Sequence, residues 1–112
     1  MNNKFLIFGS PDIKQPEIDE VIGSLESGWL GTGPKVKKFE DDFKNYKKVN
    51  NAVAVNSCTA ALHLSLIALN LKEGDEVITT PMTFCSTVNA IIHVGATPVL
   101  ADVDPVSMNI SD

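Results

Sequence analysis

Apolar residues at Ile18, Val21, Ile22 and Leu25 recur at i, i+3, i+4 and i+7, a spacing that predicts an amphipathic helix over about 14–27, stopped by Gly28. A Gly-rich connector, Trp29-Leu30-Gly31-Thr32-Gly33-Pro34, follows. Val36, Phe39, Phe43 and Tyr46 then repeat at helical spacing through Lys47, while Lys37, Lys38, Glu40, Asp41, Asp42 and Lys44 form a solvated face. Beyond them the pattern changes period. An apolar run near 52–56 reads as a strand, 58–70 as a helix apolar almost all round, Lys72-Glu73-Gly74-Asp75 as a turn and 76–80 as a second strand. A further helix, with Phe84, Val88, Ile91 and Ile92 on one face, runs to Gly95, and Thr97-Pro98-Val99-Leu100-Ala101 is a third strand.

The order from residue 52 is βαβαβ. Strands that are apolar on both faces belong to a parallel sheet covered by helices, with right-handed crossovers, so the predicted class is α/β with a mostly parallel sheet and helices on both faces. Ligands of such open sheets sit beyond the carboxyl ends of the strands. Three polar loops fall there: Asn56-Ser57-Cys58-Thr59, Pro81-Met82-Thr83-Phe84 and Asp102-Val103-Asp104-Pro105. The Lys72–Asp75 turn lies at the opposite edge and reads as structural.

Ser57, Cys58 and Thr59 open a helix directly after a strand. The first N–H groups of a helix lack partners, and with the helix dipole they favour an anion, most often phosphate. Ser and Thr are also ordinary N-cap residues, each stabilising a helix by roughly 1 kcal/mol with no ligand. The residues alone support both readings. No G-x-G-x-x-G occupies this turn, which disfavours a dinucleotide.

Composition narrows the setting. A net charge of −5 argues against nucleic acid or an anionic membrane as partner, since both select basic patches. No apolar stretch nears the ~20 residues of a membrane span, and Met1-Asn2-Asn3-Lys4 has no signal-peptide character, so a cytoplasmic location is expected. Cys58 and Cys85 lack zinc or disulfide spacing and read as small residues in tight packing, while His63 and His93, within helical patterns, read as packed or surface histidines.

The chain resembles the DegT/DnrJ/EryC1/StrS family across essentially all 112 residues. The resemblance is carried by Gly28-Trp29-Leu30, Gly33-Pro34-Lys35-Val36, Phe39-Glu40 and the run Ala54-Val55-Asn56-Ser57-Cys58-Thr59-Ala60-Ala61-Leu62-His63-Leu64. Gly74-Asp75-Glu76-Val77-Ile78-Thr79, Pro81-Met82-Thr83-Phe84, Gly95-Ala96-Thr97-Pro98-Val99 and Asp102-Val103-Asp104-Pro105 complete it. The family consists of pyridoxal-phosphate-dependent sugar aminotransferases of fold type I. The resemblance implies transfer of an amino group, usually from glutamate, to a nucleotide-linked keto sugar in polysaccharide or cell-surface glycan biosynthesis, by a cytoplasmic homodimer.

Position by position, the resemblance makes Ser57, Cys58 and Thr59 the cradle of the pyridoxal 5'-phosphate group and Phe84 the ring stacked on its pyridine. From the residues alone, Phe84 would instead be a core position on the 84/88/91/92 stripe. Trp29 and Thr32 correspond to a segment near the substrate pocket; a rigid connector that docks the first helix is the alternative. The family pattern makes Asp102 and Asp104 turn residues. Residues 1–34 are read as an N-terminal helix and connector, and 35–112 as the start of the cofactor-binding large domain.

Family members run to several hundred residues, and the resemblance places both the Schiff-base lysine and the acidic partner of the pyridinium nitrogen beyond residue 112. No lysine here takes that role: Lys72 is on the wrong sheet edge, Lys35, Lys37, Lys38, Lys44, Lys47 and Lys48 lie on or beside a solvated helix face, and Lys4 and Lys14 precede the core. The expectation is therefore an N-terminal fragment, inactive alone, that supplies half of a cofactor site. Two alternatives are a non-catalytic chain that associates with a full-length homologue and a sugar dehydratase of the same family, in which histidine replaces the lysine.

Overall fold

A computed structural model describes residues 8–111, so the opening Met1-Asn2-Asn3-Lys4 stretch read for a leader lies outside the described residues. The elements are α1 (Gln15–Ser27), α2 (Pro34–Lys47), α3 (Cys58–Ala68), β1 (Glu76–Thr79), α4 (Ser86–His93) and β2 (Thr97–Leu100). The described residues fall into two compact units, divided between residues 54 and 55.

In the first unit, α1 begins where Glu17 Oε2 reaches back to accept the Lys14 N–H at 2.7 Å, half of a capping box. It ends at Gly28, whose φ of 71° suits a residue without Cβ and whose N–H donates to the Leu25 carbonyl at 3.1 Å. Pro34 opens α2, where a missing N–H costs nothing. The solvated face of α2 is laced by Lys37–Asp41 at 3.0 Å, Lys38–Asp42, and Lys44–Asp41 at 3.5 Å. Lys35 Nζ reaches Glu20 of α1, pairing with Oε2 at 2.7 Å, and its hydrogen bond and charge hold the Glu20 carboxyl below the ordinary carboxylate range.

The strand expected at 52–56 enters no ladder among the described residues. Apolar and β-branched residues favour extended backbone, but a strand also needs a neighbouring strand to accept its N–H groups. Here the Ala54 N–H donates to Glu40 Oε1 at 2.9 Å instead.

In the second unit, β1 and β2 pair in parallel, with Glu76 opposite Thr97 and Thr79 opposite Leu100. The α/β expectation is met: α4 connects the strands and packs on both, and α3 packs on α4. Among the described residues Ala90, Ile91, Ala96 and Thr79 are buried, so the core lies where α4 meets the sheet. Ile78 remains 67% exposed beside buried Thr79, because one sheet face is covered within the described residues and the other is not. The Lys72–Asp75 turn closes with Asp75 N–H on the Lys72 carbonyl at 3.0 Å and Lys72 N–H on Asp75 Oδ2 at 2.9 Å, at the amino end of β1.

Candidate functional site

The start of α3 fills one of the two roles that its sequence allowed, the cap, and leaves open the donors that the other would use. Ser57 is the N-cap, and its Oγ accepts the Ala60 N–H at 3.1 Å. That bond uses the hydroxyl as an acceptor and leaves its proton free to donate. Among the described residues no oxygen accepts the Cys58 or Thr59 N–H, and Ser57, Cys58 and Thr59 are all exposed. The 11-residue helix thus presents two backbone donors and two hydroxyls at its positive end. A set made of donors with no carboxylate fits a phosphate, whose oxygens only accept.

Parallel pairing places the loops after β1 and β2 at one sheet edge. Because α4 returns from that edge, its first turn lies there also. α3 runs alongside in the same sense: Ile67 and Asn70 at its end border one cleft with His93 and Val94 at the end of α4, and the His63 and His93 ring centroids are 5.8 Å apart. Connectivity therefore sets the first turn of α3 toward the edge that holds the 80–85 loop.

Phe84 lies in that loop and not on α4, which begins at Ser86. It is 76% exposed, so the core reading of the 84/88/91/92 stripe is corrected: Ile91 is buried, and Phe84 precedes the helix. The loop is held by Met82 N–H donating to Thr80 Oγ1 at 3.1 Å and by Thr83 Oγ1 and Thr87 Oγ1 at 3.2 Å. Cys58 and Cys85 are likewise exposed rather than tightly packed, because each stands at the start of a helix.

In the first unit, Trp29 is 59% exposed and its Nε1–H donates to the Thr32 carbonyl at 3.0 Å. Trp29 lines a cleft of about 240 Å³ with Ser27, Gly31, Pro34 and Lys35. Thr32 takes part through its backbone oxygen. His63 and His93 border a separate cleft of about 530 Å³ with Asn70 and Lys72, at the amino edge of β1. Asp102 and Asp104 shape turns: Asp102 Oδ1 accepts the Val103 N–H at 2.8 Å, and Asp104 Oδ1 accepts those of Val106 and Ser107 at 3.1 and 2.7 Å. Sequence reasoning missed Glu40, which was placed on the solvated face but holds the segment leading to Ser57.

Residues 11–112 match the model of the DegT/DnrJ/EryC1/StrS aminotransferase family, and the chain belongs to that family. It is 56% identical over 108 residues to the spore coat polysaccharide biosynthesis protein SpsC of Bacillus subtilis, covering 96% of this chain and 28% of that protein. A solved structure of the PLP form of Spr1654 from Streptococcus pneumoniae, assigned as a sugar aminotransferase, superposes with a TM-score of 0.82 at 45% identity, over 88% of this chain and 25% of that one. NtdA from Bacillus subtilis, solved with bound cofactor PMP, superposes with a TM-score of 0.74 at 31% identity, over 83% of this chain and 22% of that one. The chain thus spans about a quarter of the length of these relatives.

Proposed function

We propose that this chain provides the phosphate-binding and ring-stacking side of a pyridoxal-phosphate site in a sugar aminotransferase. The reaction is transfer of an amino group from an amino acid, glutamate being the expected donor, to a nucleotide-linked keto sugar for polysaccharide or cell-surface glycan synthesis. The observation that carries it is the donor set at the start of α3, two backbone N–H groups and two hydroxyls without a carboxylate, at the sheet edge shared with the exposed Phe84. When bound, the cofactor supplies an electron-accepting ring. Ser57, Cys58 and Thr59 would hold its phosphate, and Phe84 would fix the plane of the ring. Trp29 and Thr32 would border the sugar. We assign the Schiff-base role to none of the nine lysines: Lys35, Lys37, Lys38 and Lys44 are ion-paired, and Lys72 sits at the other sheet edge. Functionally we divide the chain at 34/35, on the family resemblance, and place the whole in a cytoplasmic homodimer.

The test separates cap from cradle in the holoenzyme. Ser57→Asp keeps a strong N-cap but sets a carboxylate against the phosphate. Stability without cofactor should therefore hold in urea denaturation while cofactor affinity falls. Thr59→Ala should weaken retention by roughly 1.5–3 kcal/mol through a lost bond to a charged group, and Phe84→Ala by about 0.5–1.5 kcal/mol of stacking beyond lost area. Unchanged cofactor dissociation in all three variants would refute the site.

A further inference from the structure

We propose that Gly33 is a positioning residue for the Trp29 indole. Gly33 stands at the N-cap of α2 with extended backbone, φ −170° and ψ −151°, a conformation open to any residue. The backbone therefore does not ask for glycine. Space does: a Cβ at Gly33 would overlap Trp29 Nε1 and Cδ1 and lie 2.5 Å from Cε2. The same edge of the ring is fixed by the Nε1–H bond to the Thr32 carbonyl at 3.0 Å. A methyl group at 33 must drive the indole off the connector, and the bond to Thr32, one residue away, breaks with it. Gly31 offers the contrast within the same loop, since a Cβ there meets nothing within 4 Å.

The ring so held forms one wall of the cleft lined also by Ser27, Gly31, Pro34 and Lys35. A planar side chain locked before binding loses less rotamer freedom when a ligand arrives. That the ligand is the sugar rests on the function proposed above; the control of Trp29 by Gly33 does not.

Trp29 is the one tryptophan of the 112 residues, so tryptophan fluorescence and the near-UV circular dichroism of its indole bands report this ring. In the 112-residue chain, Gly33→Ala should lose the tryptophan near-UV bands and gain accessibility to iodide quenching. Gly31→Ala should do neither. Wild-type spectra and quenching in Gly33→Ala would overturn the proposal. If Gly33→Ala also lowers the far-UV helical signal, the double variant Trp29→Ala/Gly33→Ala should match Trp29→Ala alone, because removing the ring removes the overlap. A loss that persists in the double variant would place the effect in the backbone and overturn the proposal equally. In the holoenzyme, a displaced indole with unchanged sugar KM would sink the substrate role of Trp29 and leave its control by Gly33 standing.

Discussion

Single residues here do work that their type suggests and their neighbours define. Asp104 is the clearest case, because its carboxyl is held below the ordinary carboxylate range by the backbone bond from Ser107, with further help from the Ser107 side chain and the Val106 N–H. A carboxylate whose folded pKa is depressed stabilises the fold above its unfolded pKa, and that contribution is lost as pH falls through the folded value. The turn over 104–107 should therefore open on acidification. Asp104→Asn retains an acceptor oxygen and should keep the turn while removing its acid sensitivity. Amide chemical shifts of Val106 and Ser107, followed by NMR against pH, should titrate in the parent chain and stay flat in the variant.

At the scale of elements, the stop of α1 and the parallel pairing of 76–79 with 97–100 were legible, while the start of α4 and the pairing of 52–56 were not. Gly28 stops α1 in the sequence pattern and caps it in the structure at φ 71°, where a Cβ costs roughly 1–2 kcal/mol. Gly28→Ala should lower the unfolding free energy by about that amount, read as a lower urea midpoint at unchanged m-value, with Gly28→Asn losing less. The 52–56 segment and Phe84 show the opposite. Hydrophobic periodicity marks which residues avoid water, so it extended the α4 stripe back to Phe84 although the helix begins at Ser86. It also proposed a strand at 52–56 without saying what would accept its N–H groups, and Glu40 turned out to take one of them.

The whole molecule leaves much apolar surface open. Leu64, Ile67, Ile78, Ile92 and Leu100 are all exposed in the second unit, while its buried residues are few. Contiguous exposed apolar surface favours association. The 112-residue chain should accordingly show concentration-dependent mass in sedimentation, and Ile78→Lys, on a strand face without cover, should reduce it. Monomeric behaviour of the parent chain across the range would count against this reading.

What the sequence determined by itself was local and chemical. The helical repeats, the glycine stop after α1, the alternation of helix with parallel strand and the Ser57-Cys58-Thr59 cluster are written in spacing and residue type, because backbone propensity and capping act over three or four residues. The tertiary structure alone decided what depends on neighbours distant along the chain. It showed that the hydroxyl of Ser57 caps α3 with its lone pair and keeps its proton, that Phe84 stands in water and not in the core, and that Gly33 is required by a ring rather than by its backbone. Each of these depends on which atoms meet in space, and a pattern of apolar and polar positions carries no such distances.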